Sequence, residues 1–182
     1  MLACKPLFKK TTSGFTLIEI IIVIIFISIA MVSILSAYTH SMRNSATPMH
    51  QIRAVELAQA YMEEILNKRF DEASGQGGLP RCGSSDSAAL ACTTAVNFGA
   101  EAGETRSLYD DVDDFDGLDD PLLIDSLGNV RTGYDNYRAQ IFVSYAGNDL
   151  SSINNNDAKR IDIIITTANG SSFNFSAYRV NF

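Results

Sequence analysis

Glu19 poses the sharpest chemical problem in this chain. It lies in a run, residues 15–37, where 18 of 23 positions are hydrophobic and the exceptions are Thr16, Glu19, Ser28, Ser33 and Ser36. A carboxylate at the centre of a lipid-embedded helix costs about 2.5–3.5 kcal/mol, and less near an end. Two solutions are open to Glu19, one turn into the run: it reaches the headgroups, or it meets a cation inside the membrane. A cut between Gly14 and Phe15 creates such a cation, the α-amino group of Phe15. The second chemical feature is the pair Cys82 and Cys92, separated by nine residues. In an oxidising compartment a disulfide is expected of them, since no third thiolate or nearby His completes a metal site. The third is the stretch 101–125, ten carboxylates against one base, Arg106. Three readings stay open for it. It is a solvated loop with Val112, Phe115 and Leu118 turned onto the core; a calcium site built from Asp111, Asp113, Asp114 and Asp116; or a set of paired acid/base carboxylates. The spacing is not that of an EF-hand. His40 and His50 lie close to the apolar run, away from the acidic stretch, and no catalytic constellation emerges, so no catalytic residue and no enzyme is expected.

The elements that position these residues follow from the pattern. As a helix, residues 15–37 span roughly 35 Å at about 1.5 Å per residue, enough for a hydrocarbon core of about 30 Å. Lys5, Lys9 and Lys10 precede the run with no acid among them, so the N-terminus is expected in the cytoplasm and residues 38–182 outside it. An ordinary signal peptide has a shorter apolar core with small residues after it, whereas here Ser13 and Gly14 come before. Cys4 has no evident role. The overall charge of −7 argues against a nucleic-acid partner. Residues 38–70 continue the helix: Pro48 suits a first turn, Thr47 an N-cap, and Ile52, Val55, Ala58, Met62, Ile65 and Leu66 recur as one apolar stripe. Residues 39–46 are polar and fit either a continuous helix or a hinge. Residues 71–182 read as a globular domain ending in strands. Tyr137, Ala139, Ile141, Val143 and Tyr145 alternate with polar positions, residues 160–167 and 172–180 follow, and Asn169-Gly170 marks a two-residue hairpin. The fold class is α+β, a long N-terminal helix packed on a C-terminal antiparallel sheet.

The string Lys9-Lys10-Thr11-Thr12-Ser13-Gly14-Phe15-Thr16-Leu17-Ile18-Glu19 resembles the processing site of type IV prepilins and type II secretion pseudopilins. The resemblance implies a leader, residues 1–14, cut after Gly14 by a membrane-embedded prepilin peptidase that then N-methylates Phe15. It implies that Glu19 neutralises a neighbour's N-terminal amine during assembly. No Pro interrupts residues 15–47, unlike the apolar helix of many major pilins. Further segments, residues 53–66, 68–72, 81–83 and 111–115, are similar to the minor pilin-like proteins of mannose-sensitive haemagglutinin (MSHA) pili. That likeness implies a single-pass inner-membrane subunit with a periplasmic domain, later part of a surface pilus. Its partners are then membrane lipid, other major and minor pilins, and the inner-membrane assembly platform. The alternative is a minor pseudopilin of a type II secretion system. Loss of the leader leaves 11 bases against 21 acids, so the exported part is strongly acidic.

Overall fold

The computed structural model describes residues 14–151 and 153–182, without the side chains of residues 43–47. Cys4, Lys5, Lys9 and Lys10, and the side chain of Thr47, lie outside the described residues. One α-helix, α1 (Leu17–Leu66), is followed by strands β1 (Asp119–Asp120), β2 (Arg138–Tyr145), β3 (Ala158–Thr166) and β4 (Ser172–Val180). The chain divides between Ala46 and Thr47 into two compact units.

The first unit carries the apolar half of α1. Thr16 starts the helix: its Oγ1 accepts the Glu19 N–H at 3.3 Å, which satisfies one of the amides a helix leaves free at its start. Glu19 thus stands in the first turn, where the helix dipole favours a negative charge. A window from Leu17 to Met42 is long and apolar enough to cross a membrane. Two of its hydroxyls are satisfied internally, Ser28 Oγ on Ile24 O at 2.8 Å and Ser33 Oγ on Ile29 O at 2.9 Å. That removes the cost of placing them in hydrocarbon.

The second unit packs the other half of α1 against a four-stranded antiparallel sheet in the order β1-β2-β3-β4. Register pairs Ala139 with Ile165, Ile141 with Ile163 and Val143 with Ile161, so one face of β2 and β3 is continuous aliphatic surface. It meets Ala54, Leu57, Ala58, Tyr61 and Ile65 of α1, with Val112, Phe115 and Leu123 closing the core. Each buried Leu, Ile or Val contributes about 1.5–3 kcal/mol of transfer free energy, so this layer carries the unit.

Three expectations are corrected. The helix is continuous through residues 39–48, so Thr47 and Pro48 lie inside α1 and neither starts a helix. The buried stripe is rotated from the expected one: Leu57 and Tyr61 are buried while Ile52 is 59% exposed. Both stripes obey helical spacing, and the aromatic Tyr61 and the small Ala54 fit the sheet face better than Ile52 does. The turn between β3 and β4 is also one residue longer than two. Thr167 still pairs, its N–H donating to Ser171 O at 2.9 Å, and only Gly170 takes a positive φ, +81°. Asn169 instead accepts from Ser171 N at 3.0 Å through its side chain, the pattern of a three-residue turn with a glycine bulge.

Candidate functional site

Gly14 precedes the helix, and a side chain added there would meet nothing within 4 Å. Phe15 is 80% exposed, and every described side chain from residue 14 to residue 42 is exposed as well. Gly14, Phe15 and Glu19 therefore lie together on one uncovered end of α1.

In the second unit the acidic stretch is solvated only in part: Glu101, Asp110 and Asp119 are exposed, and Val112, Phe115 and Leu118 turn onto the core as expected. Asp111, Asp113, Asp114 and Asp120 are buried, and Val112 and Phe115 sit in the core with them. The reason is local hydrogen bonding. Asp111 Oδ1 accepts from Asp113 N at 2.9 Å and Asp114 N at 3.2 Å. Asp114 Oδ2 accepts in return from Asp110 N at 2.8 Å and Asp111 N at 3.0 Å. Short acidic side chains that bond nearby amides stabilise turns, and here they wind residues 110–115 into one. Asp116 Oδ1 takes Val143 N at 2.8 Å and so seals the outer edge of β2, which β1 is too short to cover. Asp120 accepts from Tyr61 Oη at 2.7 Å and from Ile124 N at 2.7 Å, tying α1 to the loop after β1. Burial, with Asp120 opposite, pushes the Tyr61 hydroxyl well above its ordinary range.

The four residues Asp111, Asp113, Asp114 and Asp116 therefore have separate tasks, and the structure gives them no common centre for a calcium ion. Two other acidic groups do converge. Glu72 and Asp110 approach Asp111, but Arg69 Nη2 already stands between the first two, at 2.6 and 2.5 Å. Glu101, Glu104 and Asp114 bring three oxygens within 4.8 Å of one another, and the Glu104 side chain holds Glu101 N at 3.3 Å.

The centre of the unit is Lys159, which the strand pattern starting at residue 160 overlooked. Its side chain is 0% exposed. Nζ donates to Phe70 O at 2.7 Å, to Asp71 Oδ2 at 3.0 Å and to Asp113 Oδ1. The rings of Phe70, Phe98 and Tyr145 stand 4.5, 4.9 and 5.6 Å from it. A signal for it did exist: Lys159 shares the inward parity of Ile161, Ile163 and Ile165 on β3. Asp71 accepts from Ala73 N at 3.0 Å, Thr93 N at 3.0 Å and Thr93 Oγ1 at 3.2 Å, besides Lys159. Asp111 differs. Its Oδ2 is buried with no hydrogen-bond partner among the described residues. Burial, then the neighbouring Asp113 carboxylate, pushes the Asp111 carboxyl up to about 9, so it carries a proton at neutral pH. Burial also pushes Asp114 up to about 6. Burial first, then Asp71, pushes the Tyr145 hydroxyl well above its ordinary range.

A second, partly buried ion pair was equally hidden in the sequence. Arg106 Nη1 lies 2.6 Å from Glu64 Oε1 of α1, out of line for a hydrogen bond. Its guanidinium stacks 4.6 Å from the Phe115 ring and 5.4 Å from that of Tyr109. The single base of the acidic stretch is thus the latch of its first half onto α1.

Cys82 and Cys92 form the expected disulfide, with Cα atoms 4.9 Å apart. It places Thr93 beside Asp71, and Asn181 Nδ2 donates to Cys82 O at 2.9 Å, so the chain's end is tied to the same loop. Replacing both cysteines by Ser should lower stability by about 2–3 kcal/mol, the loop-closure value for a ring this small. Denaturation of the full chain with and without reductant checks it: the reductant should shift the parent's midpoint and leave the variant's unchanged.

Comparison with family models, curated proteins and solved structures finds no match to this chain. Within it, the described residues define an α+β chain with one apolar helix long enough to span a membrane and a disulfide-closed head.

Proposed function

We propose that the chain is a membrane-anchored subunit of a type IV pilin-like filament, stored in the inner membrane with its head in the periplasm. Within that class, we infer a minor pilin of an MSHA-type pilus, which primes or enters a surface fibre. The observation that carries the reading is the uncovered apolar helix with Gly14, Phe15 and Glu19 at its start. An apolar surface that long is untenable in water and needs lipid or other helices around it. Storage in lipid followed by extraction into a helical bundle supplies both. The prepilin peptidase cuts after Gly14, the new amine of Phe15 is methylated, and the helix leaves lipid for contacts with neighbouring pilins on the assembly platform. The α+β head, a helix against a small antiparallel sheet, fits the layout of such subunits.

Gly14→Leu tests the first step. Among the described residues the added side chain has no neighbour, so the substitution leaves the fold alone and acts on the peptidase's access. Coexpressed with a prepilin peptidase, the variant should persist as a precursor 14 residues longer than the processed parent on a gel. Processing at the parent's rate would sink the assignment.

A further inference from the structure

We propose that Lys159 and Asp113 condense into an intramolecular isopeptide bond, with Asp111 as the proton-donating acid and Asp71 as the proton acceptor. The site has every part that this dehydration needs. The nucleophile is fully buried and in hydrogen-bond contact with the carboxyl group it would attack. Phe70, Phe98 and Tyr145 wall it in, so bulk water has little access to reverse the reaction. Asp71 and Asp113 both touch Nζ, yet they are not equivalent. Asp71 also accepts from Ala73 and Thr93, which fix its carboxylate in place beside Nζ as the proton acceptor. Among the described residues Asp113 has no such donors on its carboxylate beyond Lys159, and Asp111, which accepts from Asp113 N at 2.9 Å, has a buried Oδ2 that finds no donor. The Asp111 carboxyl lies against Asp113 through Asp113 N at 2.9 Å, and the proton it carries, once passed to Asp113, activates the Asp113 carbonyl carbon.

The step balances without any co-reactant. Asp71 takes one proton from the Lys159 ammonium, and Asp111 passes its proton to an Asp113 oxygen. The free amine attacks Asp113 Cγ, the C–N bond forms, and the nitrogen returns a proton to Asp111. The Cγ–OH bond then breaks, and the hydroxyl leaves as water with the proton held by Asp71. The net change is loss of one water, with Asp71 again an anion and Asp111 again protonated. The product joins β3 to the turn at Asp113–Phe115 covalently.

The test uses the full chain, purified in detergent, reduced, alkylated and digested for mass spectrometry. A branched peptide containing Lys159 and Asp113, one water lighter than its two parts, is expected in the parent. It should be absent from Asp111→Asn, provided that variant still forms the Cys82–Cys92 disulfide. Separate, unmodified Lys159 and Asp113 peptides in the parent would overturn the proposal and leave a buried ion pair only. A branch to Asp71, or a full yield of the branch in Asp111→Asn, would overturn the assigned roles. The parent's own digest decides the first question even where a variant fails to fold.

Discussion

Replacing Lys159 by Met should destabilise the folded head by about 3–5 kcal/mol, the usual cost of removing one partner from a buried ion pair. Met keeps most of the side-chain volume, so the loss is of charge and hydrogen bonds rather than of packing. Without Nζ, Asp71 and Asp113 face each other's charge, and Phe70 O loses its donor. Neutralising the acids should then recover part of the loss: Lys159→Met with Asp71→Asn and Asp113→Asn is expected to be more stable than Lys159→Met alone. Denaturation midpoints of the full chain, with protease resistance as a second readout, check both. A triple variant no better than the single would show that Lys159 acts by shape and not by charge. The figure counts only the ion pair, and a covalent bond from Lys159 would add to it.

Glu19→Gln should leave membrane insertion intact and reduce incorporation into filaments at least about tenfold, the equivalent of 1.4 kcal/mol. Two roles meet at this residue, and the substitution separates them. Locally, Glu19 completes the first turn that Thr16 starts, a matter of about 0.3–1 kcal/mol from the helix dipole. Gln retains hydrogen-bonding capacity at that turn and removes only the charge, so the helix should persist. In a filament, the amine of a processed neighbour would be left unpaired in a low-dielectric bundle, and that costs far more. Membrane fractionation measures the first effect, and the amount of variant in sheared filaments measures the second. Parental incorporation would reduce Glu19 to a helix-start residue. The two outcomes differ enough to be read without fine quantification.

Some of this was legible from residues alone because it depends on neighbours along the chain. The apolar run, its length against a bilayer and the lone Glu19 need no tertiary contact to be seen. The strand alternation of residues 137–145 and 172–180 was equally plain, since period two is imposed by the pleat. The cysteine pair needed only its spacing. Other features turned on which of two locally equal choices the fold selects. Ile52 and Leu57 both suit an apolar stripe, and only the sheet's shape decides that Leu57 goes in. Pro48 suits a helix start, yet α1 runs through it. The acidic stretch is the deepest case. By composition it belongs in water, because an unpaired carboxylate is costly to bury. Tertiary structure reverses that sign by supplying Lys159 from 46 residues away, Tyr61 from the helix and Val143 from the sheet. Charge in the sequence is local, whereas its cost is set by whatever the fold places within hydrogen-bonding distance. The apolar half of α1, by contrast, was legible in the sequence itself, because the length and composition that suit it to a membrane do not depend on the rest of the chain.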